Sequence, residues 1–117
     1  MAYFEELTSW SLAKKLTVKI YEFMQDNRDY GFRDQIQRAA VSIMNNIAEG
    51  SESGSSQSFK RYLFIAKGSC AEVRSMIYLC KELHYCSEEQ YLDLLSECKI
   101  ISSAINNHIK YLDTLDK

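Results

Sequence analysis

At 117 residues, 46% hydrophobic and 26% charged, the chain suits one compact domain spanning 1–117 and excludes a disordered tail or a collagen-like fibre. Gly numbers 4 and Pro 0, against roughly 8 and roughly 6 in average usage, which disfavours turn-rich sandwiches and barrels and predicts long helices. A net charge of −2 argues against coating of nucleic acid through bulk positive potential.

The first apolar-periodic stretch follows Thr8 and Ser9, either of which can cap a helix, and carries Leu12, Leu16, Ile20 and Phe23 before ending near Asp26-Asn27. A second begins between Asp29 and Phe32 and repeats Phe32, Ile36, Ala39, Ala40, Ile43 and Ile47 at three- and four-residue intervals, with Gly50 as its expected C-terminal cap. The Gly- and Ser-rich segment from Gly50 to Gln57 reads as a loop, with Ser55 or Ser56 capping the next helix. That third helix holds Phe59, Leu63, Ala66, Cys70, Val73, Ile77 and Cys80 in phase until Leu83, roughly 40 Å of helix. The fourth opens with Ser87-Glu-Glu-Gln90, a capping-box match, and its stripe is Tyr91, Leu94, Cys98, Ile101, Ile105 and Leu112. Four helices with short connections predict an all-α, antiparallel up-down-up-down bundle.

No apolar run approaches the ~20 residues that cross a bilayer, so no membrane association is expected. The N-terminal MAYFEELTSW lacks the basic-then-apolar layout of a signal peptide, which leads to an expected cytoplasmic location.

The third helix carries more apolar surface than one buried stripe needs. Tyr62-Leu-Phe-Ile-Ala66 and Met76-Ile-Tyr-Leu-Cys80 are apolar around the whole helix, so Tyr62, Phe64, Ile65, Met76, Tyr78 and Leu79 are expected to face another copy of the chain.

Chemistry-bearing motifs are sparse. Cys70, Cys80, Cys86 and Cys98 contain no CxxC pair, and without an export signal they should be reduced thiols. Cys80, His84 and Cys86 lie near one another but lack an evident fourth metal ligand. The segment GSESGSS has no P-loop Lys and follows a helix, and neither His84 nor His108 sits in a Glu-x-x-His di-iron motif. No catalytic group, metal or cofactor is therefore expected.

The middle helices instead embed polar residues: Gln35, Arg38, Asn46 and Glu49 in the second, Lys67, Ser69 and Glu72 in the third. In an antiparallel hairpin, positions whose numbers sum to roughly 106–110 face each other. Ala39 and Ala40 then meet Ala66 to Cys70, Arg38 faces Glu72, and Asn46 and Glu49 fall near Lys60 and Arg61. Gly68 inside a helix costs about 1 kcal/mol relative to Ala, which predicts close backbone approach there and overpacking in a Gly68→Leu variant.

Charge is uneven along the chain. Residues 55–83 carry five basic and two acidic side chains, and Lys60, Arg61, Lys67, Arg74 and Lys81 form a candidate nucleic-acid strip against the alternative of a solvated helix face.

The run Gln35-Ile-Gln-Arg-Ala-Ala-Val-Ser-Ile-Met-Asn-Asn-Ile-Ala-Glu-Gly50, with Phe59 to Phe64 and Ile65-Ala-Lys-Gly-Ser-Cys-Ala-Glu72, resembles the bacterial four-helix-bundle family described as 23S ribosomal RNA intervening-sequence proteins. The resemblance covers nearly the whole chain and implies a compact up-down bundle assembled as a homopentamer, with no catalytic residues. A related branch, the accessory variability determinant of diversity-generating retroelements, is a basic pentamer that binds nucleic acid and reverse transcriptase. This chain departs from that branch in its acidic balance and in having Gln37-Arg38 where two basic residues are usual. The resulting expectation is a non-enzymatic homo-oligomeric scaffold for a protein or ribonucleoprotein partner. The alternative is an RNA- or DNA-binding module acting through avidity of the strip on the third helix.

Overall fold

A computed structural model describes residues 3–115; the outermost two positions at each end of the expected 1–117 domain lie outside the described residues. Four helices, α1 (Thr8–Met24), α2 (Tyr30–Ser51), α3 (Ser56–Glu82) and α4 (Glu88–Leu115), follow a 3-10 turn at Phe4–Glu6 that the periodicity did not predict. Each helix packs on both of its neighbours in a ring, α1 on α2, α2 on α3, α3 on α4 and α4 on α1, so the architecture is an up-down four-helix bundle. It measures 48 × 20 × 20 Å.

The helix ends follow from local chemistry. Asp29 Oδ1 accepts from the Phe32 N–H at 3.2 Å to start α2, and Ser55 Oγ accepts from the Ser58 N–H at 3.1 Å to start α3. At α4 the capping box closes in both directions: the Gln90 N–H donates to Ser87 Oγ at 3.1 Å, and the Ser87 N–H donates to Gln90 Oε1 at 2.9 Å. At α1 the expectation fails, because Thr8 and Ser9 are already helical and Leu7 occupies the cap position without a side-chain bond. Helix α3 stops in a Schellman-type turn, with His84 at φ 59° and the Tyr85 N–H donating to the Cys80 carbonyl at 2.9 Å.

Gly50 is not the cap of α2. It remains helical and buried, and the left-handed glycine of the turn is Gly54, at φ 94°. The short side at Gly50 serves packing: a Cβ built there would lie 2.7 Å from Tyr62 Cβ and 2.9 Å from Phe59 Cδ1. Close approach of α2 and α3 therefore occurs beside the turn and not at Gly68, where an added Cβ meets nothing within 4 Å. The expectation for Gly68 is overturned because that position turns outward from α3.

The predicted stripes of α2, α3 and α4 are all buried, joined by Met76 and Ile109. On α1 the stripe is rotated from expectation: Ala13, Leu16, Ile20 and Met24 are buried, whereas Leu12 and Phe23 are half-buried against the core. Two polar contacts fix α1. The buried Thr17 hydroxyl donates to the Ala13 carbonyl at 2.8 Å and lies 3.2 Å from the Ala40 carbonyl of α2. Lys19 Nζ reaches Asp93 at 2.8 Å and Glu97 at 2.7 Å on α4. These hydrogen bonds hold the Asp93 carboxyl below its ordinary pKa of 3.8 and the Lys19 ammonium above its ordinary 10.5.

Gly50→Ala should lower stability by about 1–3 kcal/mol through overpacking, although alanine is the better helix former. Gly68→Ala should raise it by up to about 1 kcal/mol. Urea midpoints of the two variants test the assignment of the close contact. The Lys19 clamp is partly exposed and worth about 0.5–1 kcal/mol. Its contribution is complete between the ordinary aspartate and lysine pKa values. It fades as pH falls through the lowered pKa of Asp93 or rises through the raised pKa of Lys19. The stability difference between the wild type and Lys19→Ala, measured at neutral pH and at ~pH 2, should shrink at the acid end.

Candidate functional site

The outer face of α3 keeps four of its six surplus apolar residues in solvent: Phe64 is 57% exposed, Ile65 49%, Tyr78 47% and Leu79 45%. Between them the exposed positions Gly68, Ala71 and Ser75 recur at helical spacing and form a low strip. Two expected interface residues lie elsewhere. Met76 is only 8% exposed and belongs to the core beside Val73 and Ile77, because its position faces the bundle axis. Tyr62 is half-buried, with its Cβ against Gly50.

Beside this face, α2 and α3 form an open polar groove of about 500 Å³. Its floor contains a Ser42 Oγ to Ser69 Oγ hydrogen bond of 2.8 Å, which links the helices one position beyond the register range expected for the hairpin. Asn46 Nδ2 donates to the Ser42 carbonyl at 2.8 Å and to Ser42 Oγ at 3.0 Å, so Asn46 serves its own helix. Ala39, beneath, and Ala40 are buried. Gln35 Nε2 reaches Glu72 at 3.4 Å, a long contact.

Arg38 and Glu72 both line the groove, yet no ion pair joins them. Among the described residues the exposed Arg38 guanidinium has no hydrogen-bond or carboxylate partner. Two exposed long side chains gain little from pairing in water, so the helix register does not depend on one. The other expected charge contact is also redirected. Lys60 Nζ pairs with Asp113 of α4 at 3.0 Å, and Glu49 remains exposed on α2.

The basic strip has a geometric basis in sequence. Lys60, Lys67, Arg74 and Lys81 recur every seven residues and therefore share one side of α3, whereas Arg61 lies a further 100° around it. That side adjoins α4, and acids there meet both ends of the strip: Asp113 with Lys60, and Glu88 with Lys81 at 3.9 Å. Lys81 also sits 4.6 Å from the Tyr91 ring centroid. The heptad spacing was legible, whereas its neutralising partners lie on another helix.

Cys80 and Cys98 offer little nucleophilic chemistry. Cys70 Sγ donates to the Cys98 carbonyl at 3.3 Å inside the core. The Cys98 thiol is pushed up by its hydrogen bond with Cys70 and by burial, and burial raises Cys80 to about 12. Both are therefore protonated at neutral pH. His84 is exposed in the α3–α4 turn, and His108 lies at the other end of the bundle beside Phe59. Among the described residues no three His, Cys, Asp or Glu side chains come together as a metal-binding group. No described helix is long and apolar enough to cross a membrane.

These features define an all-α, up-down four-helix-bundle protein with a polar groove on α2 and α3 and an apolar surplus on the outside of α3. The chain belongs to the 23S rRNA-intervening sequence protein family, whose profile matches residues 5–107. A crystal structure of a protein of unknown function from the S23 ribosomal protein family of Bacteroides thetaiotaomicron has the same fold, with a TM-score of 0.82. The two chains are 24% identical over 88% of this chain and 99% of the other. No curated protein matches the chain.

Arg38→Ala should change stability by less than about 0.5 kcal/mol. A double-mutant cycle of Arg38→Ala with Glu72→Ala should give coupling near zero in denaturant unfolding; coupling above about 0.5 kcal/mol would restore the pair.

Proposed function

We propose that this protein is a non-enzymatic, homo-oligomeric scaffold of the cytoplasm, most simply a pentamer as the family resemblance implies, that presents a repeated helical surface to a protein or ribonucleoprotein partner. The observation that carries this reading is Gly68. Its lack of a side chain has no use inside the subunit, since an added Cβ meets open space. It nevertheless costs about 1 kcal/mol of helix stability. Flanked by exposed Phe64 and Ile65 on one side and Tyr78 and Leu79 on the other, it suits the close approach of a helix from a second copy.

The second reading, a nucleic-acid module, draws on the seven-residue repeat of Lys60, Lys67, Arg74 and Lys81. It is weakened by the α4 carboxylates at either end of that strip. Avidity across several subunits would still raise a weak single-site affinity.

Light scattering on the purified protein at micromolar concentration should give a mass several times 13.6 kDa, about fivefold for a pentamer. Gly68→Leu should reduce that mass toward the monomer while keeping helical circular dichroism and monomer stability, because the leucine projects into solvent. A monomeric wild type overturns the scaffold reading. Binding of a ribosomal RNA fragment that weakens steeply between low and physiological salt would favour the second reading, and absence of binding at low salt would reject it.

A further inference from the structure

At the end of the bundle formed by the α2–α3 turn and the last turns of α4, the structure has a cavity of about 300 Å³, partly open to solvent. Phe59, Tyr111, Leu112 and Leu115 supply its apolar walls, and no charged side chain is among the described residues lining it. The volume is at the small end of the range for sites that hold organic molecules.

The cavity also has polar groups. His108 is half-buried, with its ring edge-on to Phe59 at 4.6 Å and tilted against Tyr111 at 6.5 Å. Neither imidazole nitrogen has a hydrogen-bond partner among the described residues. Burial holds its pKa below the usual histidine value, so at neutral pH it offers one N–H donor and one nitrogen acceptor. Ser55 Oγ, at the rim, accepts from the Ser58 N–H and retains its hydroxyl hydrogen to donate.

One wall is held in place, whereas Tyr111 and Leu115 are more than half exposed. The Phe59 ring rests against the Gly50 position at a separation that leaves no room for a methyl group, and it also contacts His108. A buried aromatic ring packed against α2 gives the slot one preformed wall, which lowers the ordering cost of binding.

We infer that this cavity binds a small, uncharged, planar aromatic molecule bearing a hydrogen-bond donor and acceptor on its edge, held between Phe59, Tyr111 and the leucines and addressed by His108. An anion is disfavoured because no cationic side chain is among the described residues lining the cavity to offset loss of its hydration. An apolar ring without polar atoms would leave the imidazole nitrogens unpartnered in the bound state. The inference goes beyond the scaffold reading and stands whether or not the chain assembles.

Benzamide and benzoate have nearly the same shape and differ in charge, so they form a matched pair of probes. Each is titrated into the full-length labelled protein while the ring signals of both histidines are followed by NMR. His84, at the opposite end of the bundle, serves as the internal control. Benzamide should shift the His108 signal saturably in the millimolar range expected for so small a ligand, leaving His84 unmoved, and benzoate should bind at least about tenfold more weakly. His108→Phe keeps an aromatic edge against Phe59 but removes both nitrogens; monitored through Phe59 and Tyr111, it should bind benzamide about fivefold or more weakly. The inference is overturned by a His108 signal that does not saturate, by equal shifts at both histidines, by benzoate binding as tightly as benzamide, or by unchanged affinity in His108→Phe. The wild-type titration decides the matter even if the variant fails to fold.

Discussion

The approach of α2 to the first turns of α3 at Gly50 is the constraint from which the rest of the molecule follows. With Tyr62 Cβ and the Phe59 ring against a residue that has no side chain, the two helices approach closely beside the turn. That approach brings Ser42 to Ser69 further along the hairpin and buries Ala39 and Ala40 beneath the groove. It also sets the rotation of α3, which turns Leu63, Val73 and Ile77 inward and leaves Phe64, Gly68 and Leu79 outside. The same contact immobilises the Phe59 ring that walls the cavity at the end of the bundle. One small residue thus links hairpin geometry, the external apolar face and the internal slot.

The external face is large enough to matter but not to act alone. Covering the exposed portions of Phe64, Ile65, Tyr78 and Leu79 is worth on the order of 3–6 kcal/mol. Association costs about 4–15 kcal/mol in lost freedom and side-chain ordering. A stable assembly therefore needs further contact area. Leu92 and Ile100 project from α4 at 55% and 51% exposure, and the polar groove adds hydrogen-bonding groups next to the α3 face. Contacts from both would combine apolar burial with the directionality that apolar surface lacks.

The charged side chains have a different role from the one their sequence positions suggest. Those that bridge helices, Lys19 to Asp93 and Glu97, Lys60 to Asp113, and Lys81 to Glu88, tie α4 back to α1 and α3. They fasten the last helix of an up-down bundle, which is joined to the rest by one connection only. Arg38 and Glu49 remain exposed, where water solvates them at no cost to the fold.

Much of this organisation was written locally in the chain. The 3.6-residue period of Phe32 to Ile47, of Phe59 to Cys80 and of Tyr91 to Leu112, with Asp29, Ser55 and Ser87 at the starts of those helices, defined α2, α3, α4 and the all-α class, because helix periodicity and capping depend on neighbours within about four residues. The resemblance carried by the NIAEG and Gly-Ser-Cys-Ala-Glu segments likewise led to the correct family. Which glycine packs against the neighbouring helix, where Met76 points, which acids meet Lys19 and Lys60, and how Phe59, Tyr111 and His108 line a cavity were decided only in three dimensions. Each depends on the rotation of one helix about its axis relative to another, and about 100° of rotation, a single residue, carries a side chain from core to solvent. Periodicity locates the buried stripe, but the residues at its margins receive their partners from helices more than twenty positions away.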